Sequence, residues 1–432
     1  MSKIQAVFSG FLLSASLFAQ ATGPDQTKIG AGNAAANALA GDSNFVQSSY
    51  QFLLRQTNQI QDSNTRFQTV DAIRNPNTCV MSRAGVTDAV KDTLLKRLVD
   101  QELAVEANAR NINGGAKAGV FPPLVNDGSN CPMLPMRWYA APGGSYTGHH
   151  SYPGGLAIHE AFNAVSSMNF ANGYRKVYGV SGSDGLPFAG PDSTTASDVF
   201  LSEDLMVSAP IWHDWAKPIV FQWNADGSEF FEYAIGGNGT TDAWGQPGDS
   251  TTGAHHIITI AEMMKRGLPP ELLITMASAH SAPTSGNEYK VVNWLRAAAI
   301  LAQVDAVEAG VLYKDAAGRL RLPQLRQLGA VDLLEGSASL SHTNVLSEYV
   351  LHNLSDADFT LTGPAVTEMN RVLSVAAPQF GFNPADTANY NNKFRNRVLA
   401  YLSAERLLLI YSSSGLDGVV AEVNKIKAKL II

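Results

Sequence analysis

Charge is scarce in this chain of 432 residues: Asp, Glu, Lys and Arg together make up 16% of it. What charge there is leans acidic, with a formal net charge of -7. A protein that grips a nucleic-acid polymer needs a basic surface, so no such polymer is expected as a partner. A small anionic substrate stays compatible with this balance, because a metal centre brings its own positive charge. Cysteine is nearly missing. Cys79 and Cys131 are the two in the sequence, so at most one intrachain disulfide can form. In an oxidising compartment they would pair and close a loop of about fifty residues; otherwise they are two buried thiols. Long apolar runs are also missing beyond the N-terminus, where no stretch approaches the ~18 apolar residues of a membrane span. Neither an internal repeat nor a low-complexity tract is present.

The N-terminus itself reads as a secretory signal. Lys3 supplies the positive start, Ile4 to Ala19 is mostly apolar and uncharged, and Ala19-Gln20-Ala21 is a small-x-small cleavage site. Cleavage near Ala21 would deliver the protein to the periplasm or the medium, with no stable membrane insertion afterwards; an uncleaved anchor is the competing reading. The Gly-, Ala-, Asn- and Ser-rich residues 22–45 read as a flexible lead-in.

Hydrophobic residues at 45% are ordinary for a globular protein, and the length admits two to three domains. Residues 46–75 have a helical pattern. GVTDAVKDTLLKRLVDQEL predicts a firmer helix, with Thr87 as N-cap and Leu94, Leu95, Leu98 and Val99 as its stripe. From Asn111 to Gly148 the chain is loop-like and carries Arg137, Trp138, Tyr139 and Tyr146, which either pack or wall a substrate. Helices dominate from Pro153 to Gly310, interrupted by IVFQW-NADG-SEFFEY, which reads as a hairpin turning at Asp226-Gly227. RVLAYLSAERLLLIY and VAEVNKIKAKLII give further helical patterns near the C-terminus. The expected fold class is all-α with a small β hairpin. The expected segments are a signal peptide at 1–21, a helical and loop region at 22–145, a metal-binding domain at 146–312 and a helical region at 313–432.

Histidine is what the chain concentrates. Seven of its nine histidines lie between His149 and His280, in GHHSYPGGLAIHE, HDWAK, GAHH and ASAH. His159 falls on a helix that starts after the Pro153-Gly154-Gly155 break. His213 and Asp214 are adjacent. His256 opens another helix. His280 stacks with Leu272 and Met276 at i, i+4, i+8 after Pro269-Pro270. In VVNWLRAAAILAQVD, Asp305 continues the face of Val291, Leu295, Ala298, Leu301 and Ala302. A carboxylate on a buried stripe is costly unless paired or bound to a cation. Four imidazoles and two carboxylates on separate helices are a ligand supply for one or two divalent ions, among Fe, Mn, Zn, Co, Ni and Mg.

His159, then His213-Asp214, then Asp305 resemble the H…HD…D signature of the HD superfamily of metal-dependent phosphohydrolases. HDWAK resembles that family's HD-x-x-K, and HHSYPGGLAIHE is similar to the helix entry of bacterial HD-type 3′–5′ exoribonucleases. HHIITIAEMMKRGLPPELLITMASAH resembles the later helices of two-metal members. The likeness covers about 150–310. It implies an HD-domain helical bundle with helical extensions on either side. It also implies that His159, His213, Asp214 and Asp305 hold one metal, and that Asp214 bridges to a second held by His256 and His280. His255 competes with His256, which stands six before Glu262 as the family's ligand stands before its own Ala-Glu pair. The resemblance casts Asp214 as the residue orienting water and Lys217 as the contact to a substrate phosphate or the aid to its leaving group. His149, His150 and His255 are candidate substrate contacts, His149 and His150 alternatively mere loop caps. The implied activity is hydrolysis of a small phosphoester, possibly nucleotide-derived. Two other readings use the same ligands: a di-iron oxygenase resembling myo-inositol oxygenase, and a metal-binding module without catalysis.

Overall fold

The computed structural model describes residues 28–145, 148–186, 196–228, 232–237, 249–284, 287–326 and 345–430. The fold is all-α with small antiparallel strand pairs. The first half holds α1 (Asn33–Asp42), α2 (Asn44–Gln56), α3 (Ser63–Arg74), α4 (Asp88–Asp100), α5 (Gly115–Val120), α6 (Gly155–Tyr178), α7 (Glu203–Trp212) and α8 (Lys217–Val220). The second half holds α9 (Ala254–Lys265), α10 (Pro270–Ala277), α11 (Glu288–Ala302), α12 (Ser347–Ser355), α13 (Phe359–Ala376), α14 (Thr387–Tyr390), α15 (Asn396–Leu402), α16 (Ala404–Lys425) and α17 (Lys427–Leu430). Among the described residues no helix is long and apolar enough to cross a membrane. Residues 1–21, read as a signal, lie outside the described part.

The expected lead-in is not a coil throughout. Its AAANALA run forms α1, as the high helix propensity of alanine favours. Asn33 fixes it to the centre of the chain: its side-chain oxygen accepts from Trp223 N at 2.9 Å, and its amide donates to Gln222 Oε1 at 3.2 Å. The predicted helix in 85–103 is α4, with the Thr87 hydroxyl accepting from Val90 N at 3.4 Å. Trp138 is buried, and Trp138 and Tyr139 both pack on Tyr50; Tyr146 lies outside the described residues.

The expected hairpin at 219–233 is placed differently. The turn at Asp226-Gly227 forms, with Gly227 N donating to Asn224 O, but Ile219 and Val220 belong to α8. The observed pairs are β1 (Ala234–Ile235) with β2 (Thr252–Gly253), and β3 (Tyr313–Lys314) with β4 (Leu320–Arg321). Residues 229–231 lie outside the described part.

One apolar cluster runs from Ala36 to Leu430. In it α6 packs on α2, α7 and α12; α9 packs on α11; and α10 packs on α7 and α12. This layout aims the inner ends of α6, α7, α9, α10 and the α12–α13 junction at one place. The entry to α6 is sterically dictated. Gly154 has φ +88°, and a Cβ there would lie 2.3 Å from Val46 Cγ2. No other residue combines that left-handed φ with such a close approach at low cost.

Cys79 and Cys131 form a disulfide. The segment after Cys79 is tied to α9. Glu262, fully buried, accepts from Met81 N and Ser82 N, and from Arg266 Nε at 2.7 Å. Arg266 donates to Cys79 O and Asp71, and its guanidinium stacks over Trp212 and Trp215.

Candidate metal centre

Those two tryptophans bracket His213-Asp214. Trp212 donates to Thr69 Oγ1 and Trp215 to Ala72 O, so both clamp the end of α7 against α3. His213 caps α7, and Asp214 follows it into the interior. Ala216 N donates to Thr259 Oγ1, which donates in turn to His255 O. The HDWAK segment is thereby locked to the start of α9.

Four of the converging atoms come from three separate segments of the chain. His159 Nε2 lies 3.4 Å from Asp214 Oδ2 and 3.1 Å from Asp356 Oδ1. His213 Nε2 lies 3.2 Å from each of those same oxygens. On its other side, Asp214 Oδ1 lies 3.1 Å from His255 Nε2, and His280 completes that second group. Three of the imidazoles have a carboxylate behind them. Asp358 Oδ1 is 3.3 Å from His159 Nδ1, Glu160 Oε2 is 3.1 Å from His213 Nδ1, and Glu232 Oε1 is 2.5 Å from His255 Nδ1. His280 Nδ1 is paired with Thr252 Oγ1 at 2.8 Å. In metal sites such outer partners fix the ring and leave the other nitrogen for the ion.

The chemistry of this set fits a cation. His159 Nε2, Asp214 Oδ1 and His255 Nε2 are buried and have no hydrogen-bond partner, although carboxylates or imidazoles stand close by. Orphaned polar atoms of this kind are rare in folded proteins. The carboxylates of Asp214, Asp356, Asp358, Glu160 and Glu232 lie against the imidazoles, with Lys217 on Asp214, an acidic excess that a buried cation would offset. Burial opposes the charged forms of His159 and His213. For His159 it is outweighed by Asp358, Asp214 and Asp356, and for His213 by Asp214, Glu160 and Asp356, so both pKa values rise well above the ordinary one. Burial likewise opposes ionisation of Asp214 and Asp356, yet His213 and its neighbours hold both well below the usual carboxylate range. Protons on His159 and His213 thus balance the carboxylates in the free protein, and a bound metal would displace them.

The cluster lines a cleft of about 170 Å³, walled also by Gly144, Ser145, Gly148, His149, Lys217 and Glu232. Lys217, buried, donates to Asp214 Oδ2 and to Gly143 O. His280 is the exposed member of the ring set.

Two expected ligands stand elsewhere. Asp305 is not in the cluster. Gln303 takes a left-handed φ of 55° and ends α11 before the apolar face reaches Asp305. The exposed Asp305 instead caps the next turn, accepting from Val307 N at 2.8 Å and Glu308 N at 3.0 Å. Asp356 occupies the place expected of it. His256 is fully buried behind His280, stacked on that ring at 4.0 Å and edge-on to Trp294. Of the adjacent pair it is His255, not His256, whose ring meets Asp214, because successive helical residues point about 100° apart. His149 lines the cleft, whereas His150 is buried beside it.

Sequence reasoning missed Asp356, Asp358, Glu160, Glu232 and the buried His352, whose ring lies 5.6 Å from that of His213. A signal existed for two of them. His352 and Asp356 are four apart at the end of an apolar helical pattern, so they share one face. No protein-family model, curated protein or solved structure matches this chain.

Proposed function

We propose that this protein is an exported, metal-dependent phosphohydrolase of the HD type, cleaving a small phosphoester. One observation carries the reading: His159 Nε2, His213 Nε2, Asp214 Oδ2 and Asp356 Oδ1 meet at 3.1–3.4 Å from three separate points of the chain. The order H, HD, D is that of the family resemblance, with Asp356 in the last position. His159, His213, Asp214 and Asp356 would hold one divalent ion. Asp214, His255 and His280 would hold a second, with Asp214 shared through its two oxygens.

Bound divalent ions supply polarisation of a phosphoryl oxygen and water whose pKa falls to about 7 in favourable zinc sites. The protein's own groups do the rest. Lys217, held by Asp214 and Gly143 O, would set a positive charge at the cleft wall for the leaving oxygen, which gains charge as its bond to phosphorus breaks. Asp214, which faces both sets of imidazoles, would orient the attacking water. The cleft of about 170 Å³ accommodates a phosphoryl group with a small ester, and its acidic Glu232 disfavours a polyanion.

The test is turnover of p-nitrophenyl phosphate and bis(p-nitrophenyl) phosphate by protein loaded in turn with Mn, Fe, Co, Ni, Zn and Mg. Hydrolysis that disappears in His213→Ala is expected. Inactivity with all six metals, on these and on a panel of small natural phosphomonoesters and diesters, would overturn the reading.

A further inference from the structure

Behind His159, on the side away from Asp214, lies a second group of buried polar atoms that hydrolysis leaves unused. We infer that it is a separate binding site for one divalent first-row cation, formed by His149 and His150 against the Nδ1 side of His159.

The three imidazoles crowd together. Their ring centroids are 4.6 Å apart for His149 and His159, 5.1 Å for His150 and His159, and 5.8 Å for His149 and His150. One nitrogen from each lies within 4.8 Å of the other two. His149 Nδ1, His150 Nδ1, His159 Nδ1 and Asp358 Oδ1 are all buried without a hydrogen-bond partner. Asp358 Oδ1, the carboxylate behind His159, lies 3.3 Å from its Nδ1 at the edge of this group. Neighbouring orphaned ring nitrogens are better explained by one missing occupant than by independent losses, because each unpaired buried polar atom destabilises the fold.

The backbone is fixed to hold His150 there. His150 has φ +50°, a left-handed value that a residue with a side chain adopts at a cost. Its carbonyl accepts from Gly143 N at 2.9 Å and Tyr152 N at 2.8 Å. Gly155 makes room for that carbonyl, since a Cβ at 155 would lie 1.9 Å from His150 O. Glu405 Oε1 stands 3.6 Å from His150 Nε2, and Tyr152 OH donates to Glu405 Oε2 at 2.9 Å. Glu405 thus faces Nε2 from beyond hydrogen-bond distance, and a ring drawn toward that carboxylate keeps the other nitrogen, Nδ1, for an ion. Imidazole ligands suit zinc, iron, copper or nickel. His149 also lines the cleft, which gives an ion its route in.

The experiment is elemental analysis after zinc loading and desalting, on wild type, His150→Gln, Glu405→Gln and His213→Ala. Wild type should exceed His150→Gln by one equivalent, and His213→Ala should keep the equivalent that His150→Gln loses. Glu405→Gln, which spares the ligands, should bind that ion about 10–100-fold more weakly, and it stands in if His150→Gln does not fold. Equal zinc in wild type and His150→Gln, or unchanged affinity in Glu405→Gln, overturns the inference. If zinc is lost in His213→Ala but untouched in His150→Gln, the centre at Asp214 stands and this site falls. A zinc-free wild type sinks both.

Discussion

Asp214 faces two sets of imidazoles at once, Oδ2 toward His159 and His213, Oδ1 toward His255. A single carboxylate can do this only if the rings are held from behind. The strongest of those supports is Glu232, which accepts from both the backbone N and Nδ1 of His255. Glu232→Gln keeps the size and weakens the hold, so metal affinity should fall about 10–100-fold, as measured by chelator competition. Unchanged affinity would mean that His255 does not need that partner. At this scale the sequence showed residue types well and directions poorly. The histidines stand out by number, but which of His255 and His256 meets Asp214 depends on helical phase against the cleft. Asp305 looked like the last carboxylate because its stripe continues through Ala302; nothing in AQVDA marks the left-handed turn at Gln303 that ends α11.

The elements that carry these residues are braced by a buried network. Arg266 on α9 joins Glu262, Asp71 and Cys79 O, and lies over Trp212 and Trp215 on either side of His213-Asp214. Arg266→Met keeps the stacking bulk but leaves Glu262 buried with less to balance it. It should cost about 3–5 kcal/mol in urea unfolding; a loss under 1 kcal/mol would show the network to be dispensable. Asp71 adds a pH dependence. Burial raises its pKa, but hydrogen bonds from Asn75, Thr78 and Arg266 outweigh it and leave the carboxyl below its ordinary value. A depressed carboxylate contributes stability above its unfolded pKa of about 3.9, and that contribution is lost as pH falls through the folded value. Asp71→Asn should therefore lower Tm at pH 7, and the gap to wild type should narrow as pH approaches 3. A gap that stays constant would contradict this. Helix α4 was legible because Thr87 and a regular stripe announce it. The pairing of β1 with β2 was not, since each is two residues long and their partners come from opposite ends of a loop.

At the scale of the whole molecule, the centre is assembled from chain segments far apart. Asp356 enters from the end of α12, where its i, i+4 spacing from His352 is the one local mark, and lies more than a hundred residues beyond Asp214. Contacts at that separation leave almost no local trace. The H and HD elements could be read because they are short and ordered, while the final carboxylate could not. The Cys79–Cys131 disulfide closes one of the long loops, 52 residues apart, near the segment that Glu262 binds. Cys79→Ser should lose roughly 3–4 kcal/mol in reversible denaturation by the loop-entropy relation. A change within 0.5 kcal/mol would show that the loop is already ordered without its cross-link.

The most direct test of the metal centre is elemental analysis of protein purified without added chelator, comparing wild type with Asp356→Asn and with Asp305→Asn. The account predicts bound first-row metal in wild type and in Asp305→Asn, with loss in Asp356→Asn. Wild type that stays metal-free after exposure to each candidate ion, or Asp305→Asn losing metal while Asp356→Asn keeps it, would contradict it.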